Sequence, residues 1–127
     1  LIYLIEKQRT RILYATDTSG LTATATRLIG IDAHQKGTPI TALIMEATIG
    51  MGYDSDYRLF THTSVAQIEQ IVRVLTATKR YIPSIGQPVY LTHLARTLHG
   101  TQAELDAHLP APLRAAYDGL EVVFLAD

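Results

Sequence analysis

The stretch ITALIMEAT, residues 40–48, is a nearly continuous apolar run that follows the turn-forming residues QKGTP at 35–39. A short apolar run bounded by turn residues is typical of a buried strand. Upstream lie two further β-prone runs, LIYLIE at 1–6 and RILYAT at 11–16. Because only the polar residues KQRT separate them, they are predicted to form a hairpin.

Downstream of the buried strand, residues 49–61 have no period and contain several glycines and aspartates, which predicts a long loop. A helix is predicted to begin after it, because Ser64 and Gln67 have the spacing of a capping box. Apolar residues then recur on one helical face over about four turns: Val65, Ile68, Ile71, Val72 and Leu75.

The rest of the chain predicts shorter elements. VYLT at 89–92 is a short buried strand, residues 101–108 form a weaker helix, and YDGLEVVFLA at 117–126 is a turn followed by a closing strand. Residues 22–30 are compatible with either a short helix or a loop. The order of elements predicts a layered α/β or α+β fold.

The composition excludes several classes of protein. A chain of 127 residues is long enough for one domain, and a net charge of -1 gives no electrostatic footprint for nucleic acid or an anionic membrane. No apolar run approaches the roughly 20 residues of a membrane span. Without cysteine the chain has neither disulfides nor cysteine-bound zinc. We expect a cytoplasmic domain.

Polar residues at the ends of predicted elements are the candidates for chemistry. Asp17 and His93 each follow a short apolar strand and a threonine, and each precedes a loop. Ligand sites in sheet proteins gather at such strand ends, and carboxylate with imidazole suits zinc, manganese or iron. His62 precedes the helix N-terminus, where it can contact a phosphate or protonate a leaving group.

Structural alternatives exist for each candidate. Asp-Thr-Ser-Gly is also a good turn, in which Asp17 would cap backbone N–H groups. A histidine before a helix is often a cap, and His34, His99 and His108 are interpreted as surface residues. An aspartic protease is disfavoured, because Ser19 separates Thr18 from the glycine that should follow directly in that motif.

Five segments taken in order resemble the second half of a metallo-β-lactamase-fold hydrolase: ILYATDTSG, ALIMEAT, HTSVAQIEQIV, VYLTHLA and YDGLEVVF. The resemblance covers residues 1–127. The tail from THLARTLHG to YDGLEVVF resembles the phosphoribosyl cyclic phosphodiesterase branch, whereas HTSVAQ also resembles the tRNA 3′-processing endonuclease branch.

The resemblance implies roles for four residues. Asp17 would bridge two divalent ions, zinc or manganese, and His93 would bind one of them. His62 would be catalytic, contacting the phosphate or assisting the leaving group. Glu46 would act behind the ligands by orienting a histidine, although a polar cap at a strand end is an equal interpretation.

The resemblance also implies that this chain is only the C-terminal half of an αββα sandwich. The family's main metal motif, His-x-His-x-Asp-His, does not occur in the sequence and belongs to the N-terminal half. We therefore expect the apolar faces of this half to pack against a companion N-terminal half or a second copy.

The function predicted from the resemblance is metal-dependent hydrolysis of a phosphodiester. A small substrate suits the near-neutral charge, and an RNA end remains open. Two alternatives are a non-catalytic α/β binding module and the same fold acting on thioesters or lactones, which needs no histidine at position 62.

Overall fold

The computed structural model describes residues 1–53 and 55–124, which form one mixed sheet with helices. The strands are β1 (Ile2–Lys7), β2 (Thr10–Ala15), β3 (Ala42–Glu46), β4 (Val89–Thr92) and β5 (Leu113–Ala115). The helices are α1 (Ala23–Lys36), α2 (Val65–Ala77) and α3 (Gln102–His108), with a 3-10 turn at Tyr57–Phe60. Within these two ranges no helix has the length and apolar character needed to cross a membrane.

The sheet has the strand order β1-β2-β3-β4-β5. β1 and β2 pair antiparallel, which confirms the predicted hairpin, and the other neighbouring pairs are parallel. The predicted layered α/β fold is confirmed at this level. Because β2, β3 and β4 are parallel neighbours, their carboxyl ends lie along one edge of the sheet, where the candidate residues are found.

One face of the sheet carries the hydrophobic core. Its strand side chains alternate inward from β2, β3 and β4 and pack with residues of α1 and α2. The core includes these strand and helix residues: Leu13, Leu43, Met45, Val89, Leu91, Ile29, Ile68, Val72 and Leu75. A continuous core beneath three parallel strands holds the carboxyl edge rigid.

The opposite face of the sheet is only partly covered. Tyr3 and Ile5 of β1 point to it by alternation and are each 51% exposed. Further along, the Phe124 ring meets the Tyr90 ring edge-on at a centroid distance of 6.2 Å. Phe124 therefore covers part of the β4 side of this face, whereas Tyr3 and Ile5 on the β1 side stay exposed among the residues that the structure describes.

The helices begin and end at recognisable caps. The capping box of α2 is confirmed, with Ser64 and Gln67 each bonding the other's backbone N–H. The ambiguous segment after the first hairpin is a helix, and α1 runs past the predicted end to Gly37, whose φ of 64° ends it. Ile29 is the only residue of α1 that is buried, so the sequence of α1 carries little periodic signal.

The prediction of a closing strand at 117–126 is wrong for its described part. Within the described ranges the last strand is β5, nine residues nearer α3 than the VVF run, and residues 117–124 form a turn and a segment without regular secondary structure. The physical reason is that the Phe124 ring meets the Tyr90 ring on the sheet face, where Val122 and Ile44 line the same shallow depression, and the run does not pair at the sheet edge. Residues 125–126 lie outside the described ranges.

Candidate active site

Asp17, Glu46 and His62 converge at the carboxyl edge of the sheet. Asp17 follows β2, Glu46 ends β3, and His62 lies just before α2. One ligand atom from each, a carboxylate oxygen or an imidazole nitrogen, lies within 4.8 Å of the other two. Three residues that are 16 or more positions apart thus form one group, and its donor types are those that bind zinc or manganese.

Glu46 is the centre of this group. Its side chain is fully buried, and each carboxylate oxygen accepts hydrogen bonds. Oε1 accepts from the Thr18 backbone N–H at 2.9 Å, and Oε2 accepts from the Thr48 hydroxyl at 2.6 Å. Oε2 also lies 3.0 Å from Nδ1 of His62. Glu46 therefore connects the Asp17 loop to His62, which is the geometry of a residue that orients a histidine.

The contact with Glu46 determines which nitrogen of His62 is available. A carboxylate only accepts hydrogen bonds, so Nδ1 of His62 carries a proton and donates it to Oε2. The neutral ring then has its lone pair on Nε2. His62 is partly exposed, so Nε2 is the atom that can meet a ligand.

The Asp17 side chain does not act as a turn cap. Its carboxylate accepts no hydrogen bond from any residue in the described ranges, and the residue is exposed. Two N–H groups of this turn bond other residues: that of Thr18 donates to Glu46 and that of Gly20 donates to the Thr63 hydroxyl. Asp17 also has a φ of 49°, which is uncommon outside glycine. Its carboxylate is thus exposed and has no hydrogen-bond partner among residues 1–53 and 55–124.

Two threonines organise the site and were missed by the sequence interpretation. Thr63 is buried, its hydroxyl donates to the Thr18 carbonyl at 2.5 Å, and it accepts from the Gly20 N–H at 2.8 Å. Thr48 donates to Glu46 and lies 3.4 Å from Nδ1 of His62. Their position is the sequence signal that could have identified them, because Thr63 follows His62 directly and Thr48 lies two residues after Glu46.

His93 is not part of the Asp17 group. It follows β4 directly, is exposed, and has a φ of 55°. Its Nδ1 lies 2.7 Å from the Thr92 hydroxyl, which fixes the ring orientation. His93 therefore lies at the same sheet edge as Asp17 and shares its left-handed backbone conformation. It does not, however, belong to the group of Asp17, Glu46 and His62.

The loop before His62 is held by an ion pair. Asp56 caps the 3-10 turn and accepts from the Arg58 backbone N–H and from its guanidinium at 2.7 and 2.8 Å. These hydrogen bonds to Arg58 lower the pKa of the Asp56 carboxyl to about 2. The Arg58 carbonyl in turn accepts from the His62 N–H at 2.8 Å, so the ion pair fixes the backbone that carries His62.

His99 differs from its interpretation as a surface residue. Its ring is half-buried and Nε2 lies 2.5 Å from the Ala47 carbonyl, next to Glu46. His34 and His108 are exposed, as expected. His99 therefore anchors its own segment to the end of β3.

Comparison with known proteins gives no family for the chain: no family model matches it, and none of the curated proteins matches it.

Proposed function

We propose that this chain is the C-terminal half of a metal-dependent hydrolase with the metallo-β-lactamase fold, and that the complete protein hydrolyses phosphodiesters. The observation that carries the proposal is the convergence of Asp17, Glu46 and His62 at the carboxyl edge of parallel strands. The Asp17 carboxylate, which accepts no hydrogen bond from a described residue, lies beside the buried Glu46 carboxylate that holds the partly exposed His62 ring.

The residues fit a metal centre in donor type. Asp17 offers a carboxylate that has no hydrogen bond to any described residue, and His93 offers an exposed ring at the same sheet edge. Both oxygens of Glu46 are already occupied, so we assign metal binding to Asp17 and His93 and leave Glu46 behind them. When bound, zinc or manganese ions in a two-metal site polarise a phosphodiester and provide an activated water.

His62 supplies acid–base chemistry to the leaving oxygen. Glu46 holds Nδ1, so Nε2 is the atom that takes up a proton and delivers it to the departing alkoxide. The imidazolium formed in between is stabilised by the Glu46 carboxylate at 3.0 Å. Thr48 and the Thr18 N–H keep that carboxylate in place while the ring changes charge.

The partly open sheet face supports the assignment as a half-domain. Tyr3 and Ile5 are large apolar side chains on the β1 side of a sheet face that no described helix covers. In the proposed complete enzyme the companion N-terminal half covers this region and brings the remaining metal ligands. A homo-oligomer is the other arrangement that would bury it.

The substrate that fits best is a small phosphodiester. The net charge of -1 provides no broad attraction for a polyanion, which disfavours a long nucleic acid. An RNA end stays as the competing substrate of the same chemistry.

Metal content and phosphodiesterase activity of the complete enzyme test the proposal. We expect Asp17→Ala to abolish both metal loading and turnover. His62→Ala should lower turnover by roughly 10²–10⁴-fold while metal content stays unchanged. His34→Ala is the matched control, because His34 is exposed on α1 and its side chain makes no hydrogen bond with any described residue.

Each other result has a defined meaning. Full phosphodiesterase activity in His62→Ala would contradict the acid–base role and would favour thioester or lactone hydrolysis. Absence of metal from the complete wild-type protein would contradict the hydrolase and leave a non-catalytic α/β binding module.

A further inference from the structure

The His93 loop, residues 93–99, is held at both ends by one residue, Ala47. The Ala47 N–H donates to the carbonyl of Thr92, the residue just before the loop, at 2.9 Å. At the other end of the loop, Nε2 of His99 lies 2.5 Å from the Ala47 carbonyl oxygen. The N–H and the carbonyl of a single residue thus fix where the loop leaves the sheet and where it returns to it.

Ala47 connects this loop to the candidate active site. It follows Glu46 directly and is fully buried, so its carbonyl needs a hydrogen-bond donor from within the protein, and His99 supplies one. The next residue, Thr48, donates its hydroxyl to the Glu46 carboxylate, and its carbonyl accepts from the Ala95 N–H at 3.4 Å. The His93 loop is therefore bonded to both residues that follow Glu46.

Close packing at Gly50 seats the end of the loop. A Cβ added to this buried glycine would lie 1.9 Å from the Leu98 carbonyl oxygen and 3.4 Å from Nδ1 of His99. Any side chain at position 50 would push both residues away from the chain that follows β3. The lack of a side chain there lets the His99 ring reach the Ala47 carbonyl.

The bond to Ala47 also determines the tautomer of His99. A carbonyl oxygen only accepts hydrogen bonds, so Nε2 of His99 carries the proton and Nδ1 of the neutral ring has the lone pair. His62 has the opposite arrangement, because its Nδ1 donates to Glu46. His62 thus keeps Nε2 available for a ligand, whereas His99 uses Nε2 for a bond within the chain.

We propose that His99 is a positioning residue, which keeps His93 in a fixed place relative to the Glu46–His62 pair. His93 lies outside that pair's group, and its loop is bonded to the residues directly after Glu46. Loss of the donor at position 99 releases one end of the loop. A displacement of about 1 Å in a reacting group can cost on the order of 10²-fold in rate. A role in turnover rests on the proposed function, whereas the fastening of the loop does not.

Amide hydrogen exchange of this chain, without metal, tests the fastening. His99→Leu should accelerate exchange at the Ala47 and Ala95 amides by about tenfold, the effect of losing one hydrogen bond. The Ile68 amide, which bonds Ser64 within α2, should change little and serves as the internal reference.

Two further variants identify the cause of the acceleration. His99→Gln should restore slow exchange, because its amide N–H can donate to the Ala47 carbonyl. His108→Leu is the matched control, because it removes an imidazole–carbonyl contact of 2.8 Å, to Glu104 on α3, and should leave the Ala47 and Ala95 amides unchanged.

The kinetics of the complete enzyme test the role in turnover. His99→Leu should lower kcat by about tenfold or more with little change in KM, and His99→Gln should recover most of it. Full kcat in His99→Leu would contradict that role. Absence of phosphodiesterase activity from the wild type would instead contradict the proposed hydrolase, and the exchange measurement would still decide whether His99 fastens the loop.

Three results would overturn the fastening itself. Equal acceleration at the Ala47, Ala95 and Ile68 amides would make His99 a contributor to overall stability only. Exchange in His99→Gln as fast as in His99→Leu would show that the hydrogen bond is not the cause. A neutral His99 ring protonated on Nδ1 in the wild type, measured by long-range ¹H–¹⁵N NMR, would exclude the bond to Ala47 even if no variant folds.

Discussion

Replacing the buried carboxylate of Glu46 by an amide perturbs the centre of the candidate site with little change in shape. In Glu46→Gln the amide oxygen can still accept from the Thr18 N–H. The amide nitrogen then faces Nδ1 of His62, to which it can only donate. We therefore expect the proton of the neutral His62 ring to move from Nδ1 to Nε2.

The cost in stability follows from the same contacts. Glu46 accepts three hydrogen bonds, worth about 1.5–3 kcal/mol each to a charged group, or roughly 4–9 kcal/mol in gross terms. Desolvation of a buried carboxylate offsets several kcal/mol of this. The free energy of unfolding should fall by about 2–4 kcal/mol in Glu46→Ala, because three donors lose their acceptor. It should fall by about 1–2 kcal/mol in Glu46→Gln, because fewer donors lose theirs.

Long-range ¹H–¹⁵N NMR of the histidine rings measures the tautomer, and urea unfolding measures the free energy of unfolding. Glu69→Gln is the control, because Glu69 lies on α2 and its side chain makes no hydrogen bond with any described residue. An Nε2-protonated neutral His62 in the wild type would refute the reasoning. The reasoning would also be wrong if His62 had the same tautomer in the wild type and in Glu46→Gln. It would be wrong again if Glu46→Ala lowered the free energy of unfolding no more than the control does.

Two further substitutions test packing near the site, at Gly50, and in the core at the other end of β3, at Tyr81. Gly50→Ala places a Cβ 1.9 Å from the Leu98 carbonyl oxygen, a backbone atom, and should cost about 1–3 kcal/mol in urea unfolding. At Gly100 the three atoms nearest to an added Cβ belong to the Glu104 side chain, with Oε2 at 2.5 Å and Cβ and Cδ at 3.2 Å, so Gly100→Ala should cost less, and equal losses in the two variants would contradict the backbone clash at Gly50. Tyr81→Phe removes a buried hydroxyl that has no hydrogen-bond partner among the described residues, and the free energy of unfolding should stay unchanged or rise by about 1 kcal/mol. Burial raises the pKa of Tyr81, so above pH 10.0 this tyrosine ionises in the unfolded chain before it ionises in the folded one, and the free energy of unfolding falls. Tyr81→Phe should lessen this fall. Tyr3→Phe, at an exposed position, should not. A marked loss of stability in Tyr81→Phe would mean that the hydroxyl has a partner after all.

Local signals in the sequence were sufficient for the elements that carry the candidate site. A periodic or capping pattern predicted each of them correctly: the β1–β2 hairpin, the strand that ends in Glu46, the VYLT strand and the capped helix α2. The closing strand was misplaced because a run such as Val122–Phe124 is equally suited to pairing at an edge and to packing over a face. Sequence alone does not say which neighbours are available.

The choice of candidate residues came from position in the sequence, but their arrangement did not. Asp17, His62 and His93 were singled out because each lies at the end of a predicted element. The tertiary structure brings Asp17 and His62 together through Glu46 and leaves His93 in a separate position. It also adds Thr48 and Thr63, whose hydroxyls have no distinguishing pattern until the strands are aligned.

By itself, the sequence determined the class of fold, the strand ends and the chemical types at them, because hydrophobic period, caps and turn residues act over a few positions. Only the tertiary structure decided that Glu46 is buried between the Asp17 loop and His62 and that Asp17 caps nothing within the described chain. Glu46 contacts Thr18 and His62, which lie 28 and 16 positions away from it, and these contacts depend on which strands become parallel neighbours. That order is set by packing of the whole core.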